Sequence, residues 1–166
     1  SNAVYCLFSD SSGRLWVGTN NGIAVKNIGV DSFVRLQHDP DNDHSLSHNE
    51  VNQIVESDGV IWVATMRGLN KISYSSPLGA DRFLIYDQTD GLADDNIKSI
   101  IAADNGQIWM GTKYGISCLQ KQTERFYNFD LTNNLQSYSF NPRSILKDRE
   151  GFIYFGSILG LNIIHP

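Results

Sequence analysis

Asp39, Asp41, Asp43 and Glu50 stand at positions 1, 3, 5 and 12 of a stretch, the spacing by which an EF-hand loop presents oxygens to calcium. The sixth position of that loop turns sharply on glycine, yet it is His44 here, and strand-like sequence lies on both sides. A solvated connection is therefore the expected reading. His38, His44 and His48 lie in the same stretch beside carboxylates, a composition suited to a transition metal or a pH switch, but polar loop residues in that context. A second acidic stretch, residues 87–95 ("DQTDGLADD"), reads as another connection. Arg67, Lys113 and Tyr114 form a different set: charge-assisted hydrogen bonds and a stacking surface, the chemistry that holds an anionic or neutral sugar. No serine on a nucleophile elbow and no histidine paired with a base can be argued, so no catalytic residue, metal or cofactor is expected. Cys6 and Cys118, with no Cys-x-x-Cys, read as packed thiols.

The elements that must position these side chains are set by composition and by a repeat. The 166 residues are 41% apolar and 19% charged with a formal charge of −5, enough for one globular core and unsuited to neutralising phosphates, so nucleic acid is excluded as a partner. No apolar run is long enough to cross a bilayer as a helix. Ser1-Asn2-Ala3 has the look of a cleaved-tag remnant. From there, "SGRLWVGTNNGI", "DGVIWVATMRGL", "NGQIWMGTKYGI" and "EGFIYFGSILGL" repeat one pattern about every 45 residues. Gly13, Gly59, Gly106 and Gly151 close hairpin turns, because glycine accepts positive φ at no steric cost. The aromatic that follows (Trp16, Trp62, Trp109, Tyr154) shares a strand face with the residue two later, which is always small: Gly18, Ala64, Gly111 or Gly156.

A small residue beside a large ring lets a neighbouring sheet approach closely, and the apolar residues between them (Val17, Val63, Met110, Phe155) bury the other face. The period predicts an all-β protein: a partial β-propeller of about four tandem blades, each a four-stranded antiparallel sheet, the last incomplete. Residues 1–3 are the tag remnant; blades span 4–50, 51–96 and 97–141, with an incomplete fourth over 142–166. Fourth strands are expected at 33–36, 83–86 and 126–129, and the chain stops before one in the last unit. The connections at 38–49, 88–96 and 130–141 and the short links holding Arg67, Lys113 and Tyr114 should gather on one rim.

With these motifs and with "HDPDNDHSLSHNEV" between the first two units, the chain resembles two-component regulator propeller repeats, found in the periplasmic sensor region of Bacteroides-type hybrid two-component systems. The closing unit, with Tyr154 for Trp and Ser157 for Thr, resembles the end of such a propeller. The resemblance implies a periplasmic sensor fragment that recognises a glycan-derived oligosaccharide or relays its binding, with no enzyme activity of its own, inside a full-length histidine kinase that controls transcription. Its partners would be the remaining blades of a larger ring, an adjoining β-sandwich and an oligosaccharide. Exposed blade faces at each end predict self-association. The alternatives are a propeller lyase or hydrolase acting on polysaccharide and a non-catalytic protein-interaction propeller.

Overall fold

Each unit begins by reversing on a glycine of positive φ, and the strands on either side zip antiparallel from there. The computed structural model describes residues 3–73 and 82–166; Ser1 and Asn2 of the expected tag remnant lie outside them. The first sheet contains β1 (Val4–Ser9), β2 (Leu15–Thr19), β3 (Gly22–Lys26) and β4 (Phe33–Leu36). The second contains β5 (Val51–Ser57), β6 (Val60–Thr65), β7 (Gly68–Ser73) and β8 (Arg82–Tyr86). The third contains β9 (Ile97–Ala102), β10 (Gln107–Thr112), β11 (Gly115–Gln120) and β12 (Arg125–Phe129). The last contains β13 (Phe140–Lys147), β14 (Ile153–Ser157) and β15 (Gly160–Ile164) and has three strands. Every sheet is an antiparallel meander in chain order, with the fourth strands where the pattern placed them.

Three apolar clusters hold the sheets side by side. Trp16 and Val25 of the first sheet pack with Val51, Ile54, Ile61 and Val63 of the second. Trp62 and Ala64 then meet Ile97, Ile100, Ile108 and Met110, and Trp109 meets Phe140, Ile153 and Phe155. Each joint thus seats the ring-bearing face of one blade on the opposite face of the next. The small residue beside the ring is the seat. A Cβ on Gly18 would lie 2.8 Å from Val51 Cγ1, and one on Gly111 would lie 3.1 Å from Phe140 Cβ. The outer strand closes the other flank of the ring: Tyr86 stacks on Trp62 and Phe129 on Trp109, with centroids 6.3 and 5.7 Å apart.

The polar end of each ring is satisfied by its own hairpin in three of four blades. Trp16 Nε1 donates to Asp10, Trp109 Nε1 to Gln107 and the Tyr154 hydroxyl to Asp148. Burial works against the Asp10 carboxylate, but hydrogen bonds from Trp16 and Arg14 and the Arg14 charge outweigh it and hold its pKa below the ordinary carboxylate range. Both thiols are free, and burial pushes Cys6 up to about 11 and Cys118 to about 12.

The pattern left the connections without helix, whereas two of them contain a 3-10 turn, Gln88–Asp90 and Leu131–Asn133. Asp87 and Asp130 cap these turns by accepting from the backbone and side chain of Thr89 and Thr132, which sets carboxylates of the connections to structural use. Leu46 and Leu92 of the connections are fully buried or nearly so, and Leu135 packs on the third joint, so each connection also plugs the joint it crosses.

Candidate ligand-binding rim

Thr-x-x-Gly builds the links between the second and third strands. Thr19, Thr65 and Thr112, all buried, donate their hydroxyls to the carbonyls of Gly22, Gly68 and Gly115 and accept from the backbone N–H of Asn21, Arg67 and Tyr114. Ser157 makes the donor bond to Gly160 O in the last blade, so the departure from threonine preserves that clamp. The glycine N–H is tied to the connection leaving the blade: Gly22 to Asn49 O, Gly68 to Asp95 O and Gly115 to Tyr138 O. Two side chains per blade are thereby held outward on a rigid two-residue loop, beside the connections, on one rim.

On that rim Arg67, Lys113 and Tyr114 are exposed. The structure brings Lys113 and Tyr114 together, with the Lys113 ammonium 5.1 Å from the Tyr114 ring centroid. It adds a residue the sequence reading missed: Tyr138, in the connection to the fourth blade, stacks on Tyr114 with centroids 5.9 Å apart and planes at 18°. Both rings are about half exposed, at 52% for Tyr114 and 47% for Tyr138, so the pair offers an aromatic shelf to solvent. Tyr138 lies outside the repeated motif; the fold brings it there, its carbonyl accepting from Gly115 N–H.

Arg67 stands on the neighbouring link, in a different electrostatic group. Burial, together with nearby Arg67 and His38, lowers the pKa of His48 against the pull of Glu50, whose backbone N–H donates to His48 Nδ1. His38 Nδ1 is 2.6 Å from Leu46 O, and Asp39 Oδ1 accepts from Asp41 N. The histidines and carboxylates singled out in this connection are thus partly used in shaping it. Among the described residues no group of three or more His, Cys, Asp or Glu side chains could hold a metal ion.

Side-by-side antiparallel blades with their variable residues on one rim define a β-propeller. More particularly, residues 1–21, 45–67 and 91–114 are similar to two-component regulator propeller repeats. The chain is 28% identical over an alignment of 212 positions to histidine kinase P4 of Formosa agariphila, covering 99% of this chain and 16% of that protein. The extracellular domain of the hybrid two-component system BT3049 of B. thetaiotaomicron is 25% identical, with a TM-score of 0.67, over 99% of this chain and 28% of that one. PorZ, a surface component of the type-IX secretion system of Porphyromonas gingivalis, shares the fold at a TM-score of 0.76 and 15% identity, over 99% of this chain and 26% of its own. The chain is a sensor-like propeller related to extracellular domains of hybrid two-component systems. Among its described residues no helix is long and apolar enough to cross a membrane.

Proposed function

We propose that this chain is part of the periplasmic sensor region of a histidine kinase, and that its rim takes an oligosaccharide or relays the binding of one. The observation that carries this reading is the exposed Tyr114–Tyr138 shelf with Lys113 at its edge, on a propeller related to such extracellular domains. A stacked aromatic pair offers the flat apolar surface on which a sugar ring packs, and the ammonium supplies donors to ring hydroxyls or a carboxylate. Lys113 and Tyr114 sit on blade 3 and Tyr138 on the crossing to blade 4, so a ligand bridging them contacts both blades. It would shift signalling to the extent that it binds two arrangements of the sensor with different affinity. Because the chain spans 16% of P4, the kinase belongs to this reading only through that relative.

The test is calorimetric titration of the chain with a panel of neutral and acidic oligosaccharides. One of them should bind, and Tyr114→Ala should weaken it at least tenfold while leaving the urea midpoint within error. Binding that is indifferent to both Tyr114→Ala and Tyr138→Ala would remove the rim from the reading.

A further inference from the structure

Blade 4 departs from its three counterparts at its outer edge. The order β13-β14-β15 ends at β15, and among the described residues no strand lies beyond it, whereas β4, β8 and β12 complete the other sheets. Those three strands share a register as well as a place. Phe33 and Leu36 stand opposite Lys26 and Ile23, Phe83 and Tyr86 opposite Ile72 and Leu69, and Phe126 and Phe129 opposite Leu119 and Ile116. The corresponding residues of β15 are Ile164 and Leu161, since Leu161 pairs with Gly156 as Leu69 pairs with Ala64 and Ile116 with Gly111.

Residues three apart in a strand point to opposite faces, so one outer strand serves two joints. Phe83 packs into the cluster between blades 1 and 2, while Tyr86 packs into the one between blades 2 and 3 and stacks on Trp62. Phe126 joins that second cluster, meeting Tyr86 edge to face at 5.9 Å, and Phe129 joins the third. At β15 both sides are open. Toward blade 3 a cavity of about 480 Å³ is lined by Phe129, Leu135, Asn162 and Ile164, the place a counterpart of Phe126 would take. Phe129 is accordingly only partly buried, where Tyr86, with Phe126 against it, is 8% exposed. On the other side Leu161 and Ile163 are 49% and 57% exposed, and among the described residues no ring stacks on Tyr154 as Tyr86 does on Trp62 and Phe129 on Trp109.

We propose that the edge of β15 binds an extended peptide segment that carries phenylalanine three residues before a tyrosine or phenylalanine and runs antiparallel to it. The first ring fills the cavity against Phe129 and Ile164, and the second covers Leu161 and reaches Tyr154. Backbone hydrogen bonds along an open edge supply affinity, and the two ring places supply the choice of side chains. The occupant is a strand rather than the sheet face of a second copy, because the open space lies on both sides of β15 and only a segment in the plane of the sheet reaches both. This site shares no residue with the Tyr114–Tyr138 shelf and stands or falls without it.

The probe is a synthetic peptide of residues 123–130, the chain's own outer-strand sequence TERFYNFD, titrated by calorimetry into the dilute 166-residue chain. It should bind saturably below about 1 mM and slow amide exchange in β15 at least tenfold, while β4, β8 and β12 exchange as before. A control peptide with Phe126→Ser and Phe129→Ser should bind at least tenfold more weakly. So should the unsubstituted peptide to the Leu161→Glu chain, whose urea midpoint should stay within error because Leu161 is half exposed. Absence of saturable binding, equal binding of the control peptide, or binding that leaves exchange in β15 unaltered would overturn the proposal.

Discussion

A methyl group added at Gly111 would lie 2.8 Å from Ser99 Oγ and 3.1 Å from Phe140 Cβ, and Gly111 has no need of positive φ, so the glycine is there for space alone. Gly111→Ala should therefore cost about 1–3 kcal/mol in urea unfolding, by overpacking the joint between blades 3 and 4. The unfolding slope should be unchanged, since the exposed surface is the same. Neutral behaviour would mean that the ring and its small neighbour do not seat the next blade. This relation was legible in the sequence because strand alternation alone places Trp109 and Gly111 on one face. The partner of the ring's polar end was not, since the acceptor is Asp10 or Asp148 six residues before the ring in two blades, Gln107 two before it in a third, and is missing at Trp62. The threonine of the repeat also escaped a physical reading: its work is side chain to backbone within a link, which no hydropathy pattern displays.

At the scale of the element, the link between β10 and β11 is held by one buried hydroxyl that both donates and accepts. Thr112→Val keeps the shape and removes both bonds, leaving Gly115 O and Tyr114 N–H without that partner. The expected loss is about 1–3 kcal/mol in thermal or urea unfolding. Freed from its clamp, Tyr114 should also lose its fixed stacking on Tyr138, seen as altered near-ultraviolet dichroism from tyrosine. A variant with wild-type stability and wild-type tyrosine signal would show that the glycine and strands suffice to shape the link. Strand positions were readable to within a residue or two, because the aromatic, the small residue and the turn glycines punctuate each one. The connections were less so. "DQTDG" and "DLTNN" contain capped 3-10 turns whose signal, an aspartate two residues before a threonine, is short-range and easily taken for solvated charge. The recurrence of Leu46, Leu92 and Leu135 in otherwise polar stretches was the available sign that these connections plug joints. Arg67, Lys113 and Tyr114 were found from repeat-breaking residues on a repeated link, but their grouping required the fold, which pairs the last two with Tyr138 and leaves Arg67 beside His48.

Across the whole molecule, three joints obey one rule and two faces are left to obey it. Blade 4 shows its ring-bearing face, with Leu146, Tyr154 and Ile163 in one row and Gly156 and Leu161 in the next. Leu146, Leu161 and Ile163 are each about half exposed or more. Around Gly156 lies a cavity of about 400 Å³ lined by Arg143, Ser144, Tyr154 and Leu161, at the place where Val51 meets Gly18 and Phe140 meets Gly111. Blade 1 shows the opposite kind of face, with Leu7 67% and Phe33 48% exposed, Arg35 in the row of Leu7 and Lys26 beside Phe33 in the next row. Arg143 reaches from blade 4 to Tyr5 of blade 1, donating to its carbonyl oxygen at 3.2 Å and standing 5.1 Å from its ring centroid, yet the apolar rows stay open. The two faces are thus complementary in type, and a second copy offers each what it lacks in a head-to-tail contact. Such a contact is heterologous, so it closes a ring or grows a chain rather than stopping at a symmetric dimer. For the isolated chain, light scattering should give a mass that rises with concentration through the micromolar range. Leu7→Glu, which charges one face and leaves the three internal joints untouched, should return it to the monomer mass at unchanged stability. A constant monomer mass for the unsubstituted chain would show that Lys26, Arg35 and the Arg143–Tyr5 contact already suffice to keep the two faces apart.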